Sequence, residues 1–356
     1  MKKTVDVAII GGGIIGNTIA FFLAKEGLSI ALYEAEKISS GTTKAAAGML
    51  GAHSEYIGNN DFYSFARESQ NLYWDVKTEV EELSGIEFEL ATGGILQYQY
   101  NPSKNALHSA GRHLTANEIK QAIPYANVPE QGGILFKEDI HVHPEQTCKA
   151  FSKAAQSLGV NLYEHTAVRS IQNELITTED GSVAAKNIVV TAGIGSQTLL
   201  PLKMSTVKGQ CLKLNGEGVN LPYTLFYEGT YMLQRADNSI VVGATMEFNY
   251  HKGITEEGEA QLLNIAENFL HQSSRLPILD QWYGFRPKTV DDLPYIGKMP
   301  GENNVYIATG HFRNGILLAP ATAKMITDLI KGNAIPKERL HIFDPQRGKY
   351  NLSMYY

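Results

Sequence analysis

The sequence predicts an α/β fold (α+β overall), in which a domain of parallel strands and helices is interwoven with a second domain built on an antiparallel β-sheet. Two observations predict it. Three separated segments, around 5–49, 145–200 and 304–331, couple strand-like apolar runs to helix-like periodicity. The stretches between them, above all 206–246, carry short β-rich runs bounded by turn residues. No repeat or low-complexity linker separates the two kinds of segment, so the chain must cross between the two domains. With 356 residues and 43% hydrophobic content it can bury a sizeable core.

Each element has its own signal. "VDVAII" (5–10) has the continuous apolar character of a buried strand, "GNTIAFFLAKEG" (16–27) reads as a helix stopped by Gly27, and "LSIALYE" (28–34) as a second strand. Residues 61–85 read as a helix. "EQTCKAFSKAAQSLG" (145–159) is a further helix, "VNLYEHTAVRSI" (160–171) a strand, and "KNIVVTAG" (186–193) a strand running into a glycine turn. "TVKGQCLKL", "YTLFYE", "TYMLQR" and "SIVVGATM", all within 206–246, suggest the antiparallel sheet. Last come a strand in "NVYIATG" (304–310) and a helix in "ILLAPATAKMITDLI" (316–330). Arg313 falls at the start of that helix, where the partial positive charge disfavours a cation unless an anion is near.

The formal net charge is −6 and no Lys/Arg block is present, so neither nucleic acid nor an anionic membrane is expected as a partner. No apolar run is long enough to span a bilayer. "MKKTVDVAII" is broken as a signal peptide by Asp6 and the glycines that follow, and a cytoplasmic protein is expected. Cys148 and Cys211 lie far apart and fit no metal spacing; they read as reduced structural thiols, and no metal site is expected.

Gly11-x-Gly13-x-x-Gly16 is a weak pattern alone, but here a strand precedes it, a helix follows, and a second strand ends in Glu34. Gly11 permits the tight turn, Gly13 leaves room for a pyrophosphate, and Gly16 lets helix and strand pack closely. The pyrophosphate would rest on the helix N-terminus, and Glu34 would accept hydrogen bonds from ribose hydroxyls. The position at the N-terminus favours FAD over NAD. In "SGTTKAAAGMLG" (40–51) the small residues Ala45, Ala46, Ala47 and Gly48 let backbone lie against a flat ring system; a packed helix start is the alternative. Thr191, Ala192 and Gly193 end a strand where a cofactor can pass. Gly193-x-Gly195 does not complete a second fingerprint, so no separate NAD(P)H domain is expected, and electrons should come from the substrate and leave to a small acceptor.

With "IIGGGIIG", "TTKAAAGMLGAH", "VHPEQTCKA", "VVGATM", "GFRPKTVDDLPYIG" and "ATGHFRNGILLAPAT" in place, the chain resembles, over nearly its whole length, the D-amino acid oxidase superfamily of FAD-dependent amine oxidases, and most closely its bacterial glycine-oxidising members. The last two stretches are the most specific; 99–133 is shorter than the family pattern. The resemblance implies a discontinuous FAD-binding, Rossmann-like domain over 1–85, 141–205 and 286–340. It implies a substrate-binding domain over 86–140 and 206–285, and a C-terminal tail over 341–356. It further implies oxidation of glycine and similar small amines by hydride transfer to flavin N5, with O2 reoxidising the flavin to give hydrogen peroxide. The imine would hydrolyse to glyoxylate and ammonia or feed thiamine thiazole synthesis. A homotetramer is the family expectation. Around the cofactor it places Ile14 and Ile15 beside the three glycines, then Thr42, Thr43, Ala46, Ala47, Gly48, Met49, Val168, Ala192 and Gly193, and finally His311, Arg313, Asn314, Gly315 and Ile316.

For the substrate, arginine suits a carboxylate because its planar fork binds bidentately and stays charged. Arg286, followed by the chain-fixing Pro287, matches the family's carboxylate anchor; a surface ion pair with Asp291 or Asp292 is the alternative. Tyr231 matches a tyrosine that hydrogen-bonds the same carboxylate, and without the resemblance would read as an ordinary sheet tyrosine. Gly48, Met49 and Met246 match the lining of a small pocket, although a core role explains the methionines equally well. The helix start from Arg313 to Ile316 offers N–H groups to an anionic reduced flavin, and the Arg313 side chain adds positive potential over the substrate; a surface arginine paired with an acid is the alternative. His311 either touches the flavin edge or is a satisfied turn histidine. Some related enzymes tether FAD to a cysteine close to the position of Arg286; none occurs there, so FAD is expected to be noncovalent. A sarcosine, D-amino acid or proline oxidase or dehydrogenase remains open, as does a flavin-binding electron-transfer subunit.

Overall fold

The computed structural model describes residues 4–56, 58–98, 110–172 and 174–347; part of the unusually short 99–133 stretch and most of the expected tail lie outside the described residues. In chain order the elements are β1 (Val5–Ile10), α1 (Ile14–Lys25), β2 (Ile30–Tyr33), α2 (Thr42–Ala45), β3 (Met49–Leu50), α3 (Asn60–Ser84), β4 (Ile95–Tyr98), β5 (Arg112–Leu114), α4 (Ala116–Ala122), β6 (Gly133–Phe136), β7 (Ile140–His141) and α5 (Pro144–Ser157). They continue with β8 (Asn161–Tyr163), β9 (Ser170–Gln172), β10 (Leu175–Thr178), β11 (Gly181–Val190), α6 (Ser196–Leu199), β12 (Met204–Asn215), β13 (Thr224–Tyr227), β14 (Thr230–Gln234) and β15 (Ser239–Gly243). The last are α7 (Glu256–Phe269), β16 (Ile278–Thr289), β17 (Tyr295–Lys298), β18 (Val305–Thr309), α8 (Gly315–Lys331) and α9 (Lys337–Ile342).

The first sheet has the order β17-β18-β11-β1-β2-β8, with β9 and β10 joined to β11. β18, β11, β1, β2 and β8 run parallel. Their apolar runs are continuous because both faces are covered. Alternation sends Val7, Ile9, Ile30, Leu32 and Val189 to one face, where they pack with α1, α3, α5 and α8. Ala8, Ile10, Ala31, Tyr33, Ile188 and Val190 go to the other, against Ile176, Leu200 and Tyr295. The run 160–171, expected as one strand, is two: β8 ends at Tyr163, His165 adopts φ 55°, and the chain resumes pairing only at Ser170. The intervening turn bonds to the end of β2, with His165 N donating to Glu36 O and Thr166 N to Glu34 O.

The second sheet, β16-β12-β15-β14-β13-β4-β6-β5, is antiparallel except for the parallel pair β13 and β4. One face, with Leu212, Leu214, Leu225, Met232, Ile240 and Val242, packs with Ile119 of α4 and with Leu262 and Phe269 of α7. The other face carries Cys211, Phe226, Tyr231, Leu233 and Val241 toward Ala47 and Met49. Period-two alternation thus decides that Tyr231 points at the α2–β3 segment of the parallel domain. β16 pairs with β12 from Thr289 to Ile278, so the antiparallel sheet runs past the boundary expected at 286. β16 is an edge strand, the position where Pro287, with no N–H to give the ladder, is tolerated.

The entry of α8 is fixed by α3. Pro320, inside α8, has no N–H for the carbonyl of Ile316, and the Tyr73 hydroxyl donates to that carbonyl at 2.6 Å instead. Ser69 Oγ accepts from Ala321 N at 3.0 Å. Among the described residues no helix is long and apolar enough to cross a membrane.

Candidate active site

Two adjoining cavities lie where the domains meet. The larger, about 530 Å³, runs along the C-terminal ends of β1, β2, β11 and β18, the position where open α/β sheets bind ligands. The smaller, about 70 Å³, is lined by the α2–β3 segment, β12, β16, Tyr231 and the turn into α8. Thr42, Ala46, Phe312, Arg313 and Ile316 line both.

The glycine turn has little freedom. Gly11 adopts φ +114°, and a Cβ there would lie 2.6 Å from Thr191 O. A Cβ on Gly16 would lie 2.0 Å from Gly11 O, so Gly16 sets the packing of α1 rather than the cavity wall. Thr191 Oγ1 braces the turn from beneath, donating to Gly11 O at 2.9 Å and Ile10 O at 3.0 Å. Gly13 is the N-cap of α1 and supplies no side-chain cap; no acid lies in the first turn. Gly12 N donates to Glu34 Oε2 at 2.6 Å, and Glu36 N to Oε1 at 2.9 Å, which orients the carboxylate at the cavity wall. Ile14 N donates to Thr43 Oγ1 at 3.0 Å.

Gly11, Gly13, Ile14, Ile15, Glu34, Thr42, Thr43 and Ala46 line the large cavity from one side. Val168, Ala192, Gly193, His311, Arg313, Gly315 and Ile316 complete it. Asn314 is the N-cap of α8 and makes no side-chain cap, and that helix too lacks an acid in its first turn. Two helix N-termini with no acid in their first turns therefore meet one cavity, a disposition that suits anionic groups. The glycine cradle, the oriented Glu34 and the cavity's size fit a dinucleotide, and FAD in particular. His311 lines the cavity, and its Nε2 lies 3.1 Å from Thr322 Oγ1, so the ring has a hydrogen-bond partner. Burial lowers its pKa to about 3, so the ring is neutral at ordinary pH.

Ala47, Gly48 and Met49 line the small cavity instead of the large one. Gly48 has φ +86°, and a Cβ there would lie 2.1 Å from Val142 O. Arg286 and Tyr231 enter from the second sheet, each beside a glycine that makes room for it. A Cβ on Gly209 would lie 2.3 Å from the Arg286 guanidinium, and one on Gly243 2.3 Å from the Tyr231 hydroxyl. Arg286 Nη1 donates to the carbonyls of Lys208 and Thr245 at 3.4 and 3.3 Å. Asp291 pairs with Arg347 and Asp292 with Lys288; among the described residues Arg286 forms no ion pair. Burial holds the Tyr231 phenol well above its ordinary pKa, so it remains a donor.

Arg313 meets an acid that the sequence did not suggest. Its Nε lies 2.9 Å from Glu55 Oε2, and its Nη2 donates to Gly229 O at 3.3 Å. The Glu55 charge raises the Arg313 pKa further. Glu55 has no motif, only its position just after the small-residue run. Gly209 and Gly243 could have been found, since a glycine inside a strand marks a close approach. Met246 requires a correction. It is 46% exposed and lines neither cavity, and it lies beyond the end of β15 at Gly243.

Residues 6–329 match the family model described as FAD dependent oxidoreductase. The chain is 36% identical to the glycine oxidase of Bacillus licheniformis, over 98% of each chain. It is 34% identical to the bifunctional protein ThiO/ThiG of Synechocystis sp., matching 98% of this chain and 54% of that one. The crystal structure of glycine oxidase from Geobacillus kaustophilus superposes with a TM-score of 0.88 at 29% identity, covering 97% of this chain and 99% of that one.

Proposed function

Because the chain belongs to the FAD-dependent oxidoreductase family, in which it is an amine oxidoreductase with FAD as cofactor, we propose that it oxidises glycine and similarly small amines to the imine. The observation that carries this reading is Arg286: a guanidinium without an acid partner among the described residues, in a cavity of about 70 Å³ beside the dinucleotide cavity. FAD, held by the glycine turn and Glu34, would supply the two-electron acceptor for a hydride from the amine, at flavin N5, and would be reoxidised by O2 with formation of hydrogen peroxide. Released imine hydrolyses to glyoxylate and ammonia. The likeness to ThiO/ThiG supports a role in supplying thiamine thiazole synthesis. The reading includes a cytoplasmic location and a homotetramer, the latter resting on the family resemblance alone.

In this reading the parallel domain holds FAD and the antiparallel sheet presents the substrate. Arg286 binds the carboxylate with two parallel N–H donors, and the protonated Tyr231 hydroxyl donates to the same group. Met49, Ala47 and Gly48 limit the size of whatever lies on the α-carbon. The uncapped start of α8 offsets negative charge that develops at the cavity junction. Glu34 and the glycine turn hold the adenosine half and the pyrophosphate.

The proton to be removed before oxidation sits on the substrate ammonium. The rate of anaerobic flavin reduction by glycine should therefore rise with pH, about tenfold per unit below the amine pKa, and level off above it. His311, with its pKa lowered to about 3, adds no step near neutrality. Stopped-flow bleaching from about pH 6 to about pH 10 measures this. A flat profile would contradict oxidation of the neutral amine. Oxygen uptake with glycine, sarcosine and D-alanine then ranks the substrates; activity with none of them would remove the small-amine reading.

A further inference from the structure

We infer that Glu55 sets the charge selectivity of the small cavity: it neutralises Arg313, confines a ligand's anionic group to Arg286, and excludes molecules that carry a second anionic group. The inference rests on the proposed use of this cavity for an amino acid. The charges lining it are Arg286, Arg313 and Glu55. Two cations and one anion leave a single positive charge, which matches one carboxylate. That charge belongs to Arg286, because the Glu55 carboxylate lies 2.9 Å from Arg313 Nε. With side chains 18% and 13% exposed, Arg313 and Glu55 are largely out of water, where their mutual charge is weakly screened.

Glu55 is also placed with a support that an ordinary surface ion pair does not have. It ends a turn in which Glu55 N donates to Gly51 O at 3.0 Å. The fully buried Asp139 carboxylate pins that turn, accepting from His53 N at 3.2 Å and Ser54 N at 2.7 Å and lying 2.7 Å from His53 Nδ1. Gln70 Nε2 ties the same carboxylate to α3 at 3.2 Å. A Cβ on Gly51 would lie 2.5 Å from Ser54 Oγ, so the turn tolerates little change. The orientation of Glu55 toward Arg313 is therefore fixed from beneath, independently of any ligand.

Binding of acetate and malonate to the holoenzyme, read as perturbation of the flavin spectrum, tests this without turnover. In the unaltered enzyme malonate should bind no more tightly than acetate. Glu55→Gln should improve malonate relative to acetate by about tenfold, equivalent to about 1.4 kcal/mol. The gain should disappear when Arg313→Gln is added, and Glu55→Asp should keep the unaltered ratio. Tighter malonate than acetate binding in the unaltered enzyme, a ratio in Glu55→Gln within about twofold of it, or a gain that survives Arg313→Gln would overturn the inference. If the expected shift occurs but glycine fails to bleach the unaltered enzyme, selectivity by Glu55 stands and the glycine reading falls.

Discussion

Replacing Arg286 with alanine should lower kcat/KM for glycine by about 10³-fold, while FAD remains bound with a normal spectrum. Removing one partner of a buried, hydrogen-bonded charge pair costs about 2–5 kcal/mol, and about 4 kcal/mol, in the upper half of that range, gives this factor. No neighbour can take over. Arg313 is engaged by Glu55, and Gly209 contributes no side chain. The loss should appear mainly in KM if Arg286 binds substrate and transition state alike, and in kcat if it also aligns the α-carbon. Arg286→Lys should recover only part, because a point charge does not reproduce the bidentate fork. Steady-state kinetics at low glycine check this; unchanged turnover would remove Arg286 as the carboxylate anchor.

Gly16→Val should yield protein without FAD, or no soluble protein. The added Cβ would sit 2.0 Å from a backbone oxygen, Gly11 O, and 2.7 Å from Thr191 Oγ1, at the junction of β1, α1 and β11. Neither group can withdraw without breaking the turn, and overpacking of this kind costs about 1–3 kcal/mol or more. Gly27→Ala is the matching control. Gly27, unlike Gly16, has positive φ, +77°, but nothing lies within 4 Å of its Cβ position, so only the left-handed backbone is penalised, by about 1–2 kcal/mol. Acid precipitation followed by absorbance of the supernatant reads the outcome. The unaltered enzyme and Gly27→Ala should release intact FAD, as noncovalent binding requires, and Gly16→Val should release none. Flavin retained in the pellet would refute noncovalent binding, and full FAD content in Gly16→Val would refute the close-packing role.

These two variants mark different depths of legibility. The glycine turn could be read from residues alone, because strand, turn, helix and acid obey local rules within 30 or so positions. The shared cavity of Arg286 and Tyr231 was expected only through resemblance, since β16 and β14 of the second sheet bring them together across a long stretch of chain. Glu55 was not readable at all: its role depends on Asp139, 84 positions away, holding the turn. The strand expected over 160–171 failed because His165 adopts a positive φ, which residue type does not announce. Met246 failed because resemblance fixed its place in the chain and not its exposure beyond the end of β15. The parallel β13–β4 pair, within a sheet expected to be antiparallel, depends on a chain crossing that no local pattern encodes.

The central claim is that a small amine, held by Arg286, delivers its electrons to FAD in this chain. Its most direct test is the visible spectrum of the purified holoenzyme without oxygen, before and after glycine, then after air is admitted. A yellow protein that bleaches with glycine and recovers its colour in air with formation of peroxide is expected. A yellow protein whose spectrum ignores glycine, even at high concentration and high pH, would contradict it.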